Sequence, residues 1–274
     1  MGRRLAEVRR LEPLRAGRVA LLFLRVGIMN ELQYRVNFFI HLFQSLLSLG
    51  TGLVVLALVF SYTTELNGWS RPQLLAVLGV QILMGGVIRT VIQPNMTQLM
   101  EEVRDGKLDY PLMKPEDAQV LVSVRRVRIW HAVDVVSGGI VLGVGLSSLT
   151  ESIGLIDALA FAVAILLGGL MLYCFWLIVS CVSFWVVRMW EAIELFEGLF
   201  QTGRWPVGIY PLWLRVGLTY LVPIAFAVTV PAEAVTSRLH ASTLLGASAF
   251  AVVLFTFTRW LWKRGLRRYS GASA

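Results

Sequence analysis

The segment NMTQLMEEVRDGKLDYPLMKP, residues 95–115, is a polar stretch in a chain that is otherwise mostly apolar. Apolar runs long enough to cross a bilayer lie on both sides of it. Its first half, Met96 to Arg104, reads as helix. Asp105-Gly106 supplies a stop, and Pro111 and Pro115 follow where a helix would otherwise resume. A rigid polar element between two spans is placed to pass force from a partner in solution into the membrane.

Working outward, the 274 residues are 57% hydrophobic and 15% charged. Soluble domains carry roughly 25% charged residues. The deficit is that of a polytopic membrane protein, whose lipid-facing surface must be apolar as well as its core. The net charge of +8 would suit nucleic acid if the basic residues formed one patch. They cluster beside apolar runs instead, the pattern of topology-setting loops. We therefore expect membrane lipids and no nucleic acid as partners. Cys174 and Cys181 share one apolar run. Seven residues of helix put them roughly 10 Å apart along the axis, too far for a disulfide, so they read as packing residues.

The expected fold class is all-α, with six transmembrane helices behind an N-terminal interfacial helix. Residues 1–37 form a basic tail and a helix too polar to span, with Arg25, Asn30, Glu31, Gln33 and Arg35 among its apolar residues. Residues 38–274 form the transmembrane domain, with spans at about 38–62, 73–92, 129–149, 158–187, 189–204 and 244–262. Asn67-Gly68 marks a turn and Pro72 can open the second span. Residues 206–238 are punctuated by proline and allow two courses. In one, Met189–Thr202 is a short fifth span and the remainder dips into the outer leaflet and returns. In the other, Met189–Thr202 lies on the surface and Val216–Ala232 spans.

Lys and Arg number eight in residues 1–37, six in 93–128 and five in 259–274, whereas the loops at 61–71 and 150–157 hold only Arg71. The basic segments, both termini included, are expected on the cytosolic side. Asp134 lies about one turn inside the third span, where an acid is costly and marks function unless it reaches interfacial water. His131 is one turn away, with no third partner visible. Gly139 and Gly143 have the small-xxx-small spacing that lets helices approach, either a neighbouring span or a dimer partner along the pathway. Glu191, Glu194 and Glu197 share one helical face, and Glu194 is a candidate for a dimer interface or pathway. There is no P-loop, no His-Glu-x-x-His, no Cys-x-x-Cys and no Gly-x-Ser-x-Gly. The chain is therefore expected not to be an enzyme.

Glu102-x-x-x-Gly106-x-Leu108-x-x-x-Leu112-x-x-Pro115 resembles the first cytosolic loop of type-2 ABC transporter permeases. Gly203-x-x-Pro206, Pro211-x-Trp213-Leu214-Arg215 and Leu221-x-Pro223 resemble the outer end of that family's fifth span and the re-entrant helices behind it. The closing GLRRYSGAS, residues 265–273, is similar to its single-domain bacterial branch, often encoded as a permease pair. The resemblance implies an exporter subunit of the bacterial plasma membrane that works as a homo- or heterodimer, and it favours the short fifth span. It implies that Met100, Glu101, Glu102, Arg104, Asp105, Gly106 and Leu108 couple to a separate ABC ATPase. Gly203, Pro206, Pro211 and Pro223 would form the outer gate. No cofactor is expected in this chain, since ATP and magnesium would sit on the partner ATPase. A channel, or a scaffold subunit of a membrane complex, is the competing reading.

Overall fold

Apolar runs of 17 to 28 residues have no alternative to helix in lipid, where every backbone polar group must find its partner inside the segment. The computed structural model describes residue 29 and residues 35–113, 117–149, 154–186 and 190–269. The basic tail and most of the expected interfacial helix lie outside the described residues, as do residues 270–274. The first helix, α1, is Arg35–Tyr62. A two-residue hairpin follows, β1 (Glu65–Leu66) with β2 (Trp69–Ser70), turning on Asn67 and Gly68. Both turn residues have positive φ, 51° and 76°, the conformation that Asn-Gly favours in a tight hairpin.

Helix α2 is Arg71–Val87. The Ser70 N–H donates to Gln73 Oε1 at 3.0 Å at its start, and Pro72 stands in its first turn, where the missing N–H costs nothing. Here the structure departs from the sequence reading. The second span does not close at 92, although Pro94 follows it. A π turn, Ile88–Ile92, carries the chain directly into α3, Gln93–Arg104, so Arg71–Arg104 runs on as one 34-residue helical stretch. Pro94 cannot donate to the carbonyl of Thr90 four residues back. The Arg128 N–H donates to that carbonyl instead, at 2.9 Å. The freed acceptor is satisfied, and the helix persists.

Two short helices, α4 (Asp109–Leu112) and α5 (Ala118–Ser123), bring the chain back. A 3-10 turn at Ile129–His131 opens α6, Ala132–Ser147. Then come α7 (Leu155–Val182), α8 (Trp190–Thr202), α9 (Leu212–Val216), α10 (Val230–Val235) and α11 (Ala241–Leu266). Among the described residues, five helices are long and apolar enough to cross a membrane. They are α1, the α2–α3 helix, α6 with its 3-10 turn, α7 and α11. The segments Leu212–Leu221 and Ala225–Val235 meet at 78° and make a sixth if counted as one broken span. Pro223 lies at that bend. Helix α8, with 13 residues, is shorter than the roughly 20 a bilayer needs.

Antiparallel α2 and α6 form the closest helix pair. A Cβ on Gly79 would meet the backbone of Leu142, one on Gly86 the backbone of Val135, one on Gly138 the backbone of Leu83, and one on Gly145 that of Ala76. Glycines seven residues apart on each helix therefore face the partner's main chain. Gly139 and Gly143, singled out by their spacing, have open space where a Cβ would stand. They lie on the outer face of α6. Helix α7 runs through the centre, with Met171, Leu172, Trp176 and Leu177 fully buried, and packs on α11, α10 and α3.

Candidate functional site

Two polar arrangements are set into this apolar frame. The first is the connection from α3 to α6, at the end of the bundle rich in Lys and Arg. Asn95 fixes its return limb. Its Nδ2 donates to the carbonyls of Val91 and Arg126, each at 2.7 Å, and its Oδ1 accepts from the Arg126 N–H at 2.8 Å. Arg125 then reaches Glu102 with two nitrogens, at 2.9 and 2.8 Å. Both side chains are largely enclosed, at 11% and 15% exposure, a two-pronged geometry that holds direction as well as distance. Met96 and Leu99 are fully buried, and the Met96 carbonyl accepts from Ser180 Oγ of α7 at 3.3 Å.

At the far end, Gly106 has φ of 68°, a left-handed conformation that favours glycine, and turns the chain out of α3. Asp105 is flanked by Arg104 at 3.0 Å and Lys107 at 3.3 Å. Its bonds to those two cations hold its carboxyl below the usual range. The Leu108 N–H donates to the Tyr269 hydroxyl at 3.0 Å, which clasps the turn to the segment after α11. The return limb is tied to α11 as well. Asp117 caps α5 and pairs with Arg259, and that pairing lowers its carboxyl.

The predicted coupling residues thus divide. Met100 and Leu108 are buried, Glu102 is engaged with Arg125, and Glu101 is half-buried. Arg104 and Asp105 are exposed with Lys107, Tyr110 and Met113. What projects is a tip, residues 104–113, on a helix whose inner face belongs to the core.

The second arrangement lies inside the bundle. Arg89, in the π turn, donates to Asp134 Oδ2 from Nε at 3.2 Å and Nη2 at 2.8 Å. His131 Nδ1 is 3.9 Å from the same oxygen, and the His41 and His131 rings lie 4.2 Å apart. π turns concentrate at functional positions, and this one aims an arginine at an acid. Around the pair is a cavity of about 200 Å³. Helix α1 contributes His41, Gln44, Ser45 and Ser48 to it, and α2 contributes Gln81. The end of α8 adds Gln201 and Arg204. Sequence reading reached only His131 and Asp134. The intrahelical spacing signalled that pair, while Arg89 and His41 arrive by tertiary register.

The remaining candidates are dispersed. Gly203 is buried, and a Cβ there would stand 2.9 Å from Ile224. Pro206 and Pro223 are buried and Pro211 is exposed: Gly203 and Pro206 stand in the turn after α8, Pro211 just before α9 and Pro223 at the bend. Glu191, Glu194 and Glu197 are exposed on α8, opposite buried Phe196 and Phe200. Glu197 accepts from Gln93 at 3.0 Å. No group of His, Cys, Asp and Glu able to hold a metal occurs among the described residues.

Comparison with curated proteins and with solved structures gave no match. A family model described as "ABC-2 family transporter protein" matches residues 46–273. That range takes in the greater part of α1, every later span, the projecting tip and the bent segment before α11, and by this match the chain belongs to the ABC-2 transporter family.

Proposed function

We propose that the chain is the transmembrane subunit of an ATP-driven exporter and couples through residues 104–113 to a separate ABC ATPase. The observation that carries this is the unbroken run from α2 into α3. One helix starts in the bilayer and ends at an exposed tip, so a push at the tip is carried along it into the membrane segment. Bonds to Arg125, Ser180 and Tyr269 join that lever to the rest of the basic end. In this reading the basic end lies in the cytosol of a bacterial cell, and ATP and magnesium bind on the partner.

The pathway would form between two copies or two related permeases. The outward faces of α1 and α6 suit that role. Phe39, Phe43 and Leu47 are exposed on α1, and Gly139 and Gly143 leave α6 flat enough for close approach. Glu194 on α8 would face the same partner or the pathway.

Purification of the tagged chain from native membranes tests the reading. An ABC ATPase should co-purify in stoichiometric amount. Met113→Asp, at a side chain 77% exposed, should release it while the melting temperature of the permease stays unchanged. Retention of the ATPase by Met113→Asp would remove the tip from the interface. Absence of any ATPase, with ion conductance in reconstituted bilayers, would replace the exporter reading with a channel.

A further inference from the structure

We propose that the cavity between α1, α2, α6 and α8 binds an anionic group, phosphate-like in size and charge, with Arg204 as its principal ligand. The argument begins with charge. The cavity wall holds two guanidinium groups, Arg89 and Arg204, and one carboxylate, Asp134. Arginine stays charged in proteins. Asp134 is committed to Arg89, which leaves Arg204 uncompensated among the described residues. Its Nη2 donates to a neutral partner, Ser48 Oγ, at 3.3 Å, and its Nε is buried with no hydrogen-bond partner among the described residues. Glu197 is the nearest other acid by sequence. It lies in an adjoining recess that shares Arg89 and Gln201 with this cavity, and it is engaged there by Gln93.

Depth makes this charge costly. Ser48 lies midway along the 28-residue α1, so Arg204 reaches that helix well away from both of its ends. A charged side chain inside a span is costly unless it is paired, and a charge without a counter-ion favours acquiring one. The rest of the wall is donor-rich and neutral, with Gln44, Gln81 and Gln201. The histidines His41 and His131 are able to add positive charge and cannot add negative.

Size narrows the ligand. The cavity of about 200 Å³ is several times the ~30 Å³ share of one water. It falls below the ~300 Å³ at which sites for whole drug-sized molecules begin. A headgroup fits and a complete amphiphile does not, so the apolar part of such a ligand would remain outside in lipid. The proposal rests on the exporter reading only for its purpose, namely that this site recognises cargo. The binding itself stands independently of any ATPase.

Native mass spectrometry of the full chain, released from nanodiscs of phosphatidylcholine doped with phosphatidylglycerol, is the test. A parallel arm measures melting temperature against inorganic phosphate. Wild type should retain one phosphatidylglycerol per chain. Arg204→Gln should lower that affinity about ten-fold or more, the worth of a charge-assisted bond. Arg204→Lys, which keeps the charge, should retain most of it, and Arg215→Gln, outside the cavity, should change nothing. Stabilisation by phosphate without phosphatidylglycerol retention would assign the site to a soluble anion. Equal retention by wild type and Arg204→Gln, with no effect of phosphate, would overturn the proposal. If Arg204→Gln fails to fold, loss of binding in Arg204→Lys as well as Arg215→Gln would overturn it equally. Anion binding in a chain that recruits no ATPase would leave this site standing and remove the exporter reading.

Discussion

A carboxylate inside a span needs a fixed partner, because an isolated charge there forfeits hydration that lipid cannot replace. Asp134 has one in Arg89, with side chains 12% and 29% exposed. Removing one member of so enclosed a pair leaves the other unpaired at a cost of about 3 kcal/mol. We therefore expect Asp134→Asn and Arg89→Gln each to lower stability by that order. The double substitution should be less harmful than the two costs combined, by about 1–2 kcal/mol of coupling. Thermal unfolding of the four proteins in detergent measures this. Simple additivity would mean that the two side chains act separately. Sequence made Asp134 visible through its place in an apolar run, and His131 through helical spacing. Arg89 carried no such signal, because nothing in a linear pattern says that position 89 will face position 134. That information lies in the register of two helices.

That register belongs to the element scale and is set by absent side chains. Gly79 and Gly86 on α2 face the main chain of α6, and Gly138 and Gly145 face that of α2. In lipid, helices gain little from burying apolar surface, and close backbone approach supplies dispersion instead. Gly138→Ala would place a methyl against the Leu83 nitrogen and the Gly79 carbonyl, both rigid backbone. We expect it to cost about 1–3 kcal/mol, the range of overpacked cores, and to shift the Arg89–Asp134 pair with it. Gly139→Ala, one residue on, meets nothing and should be neutral or slightly stabilising in the monomer, since alanine is the better helix former by up to about 1 kcal/mol. Melting temperatures of the two variants, expressed side by side, decide between them. Sequence reading chose Gly139 and Gly143 because a spacing of four is a familiar small-residue signal. The seam in use has a spacing of seven and starts one residue earlier. With a run as rich in small residues as Gly138 to Gly145, only the opposing helix face can say which of them is inside.

For the molecule as a whole, the membrane class and most of the spans were legible, because long apolar runs bounded by basic residues have few other uses. The course after Thr202 was not, since prolines in an apolar run permit either a broken span or a returning loop. The continuation of the second span past 92 and Pro94 was not legible either, because the N–H that satisfies the freed Thr90 carbonyl belongs to Arg128, in a later part of the chain. The same long-range closure changes the meaning of Glu102. As an isolated charge in a loop it would touch the ATPase. Held at 2.8 Å by Arg125, it would position the tip instead in the proposed exporter, and the two residues should behave as one unit. Glu102→Ala and Arg125→Ala should weaken ATPase stimulation to a similar degree. Losing about 1–2 kcal/mol of bracing leaves the tip misplaced some 5–30-fold more often. The exchange Glu102→Arg with Arg125→Glu should restore at least half of the stimulation, because the pair is re-formed with its ends reversed. Stimulated ATP hydrolysis in proteoliposomes, measured for the three variants and the wild type, separates the two roles. A defect in Glu102→Ala alone, unrelieved by the exchange, would put Glu102 on the ATPase surface after all and confine the lever to the backbone of α3.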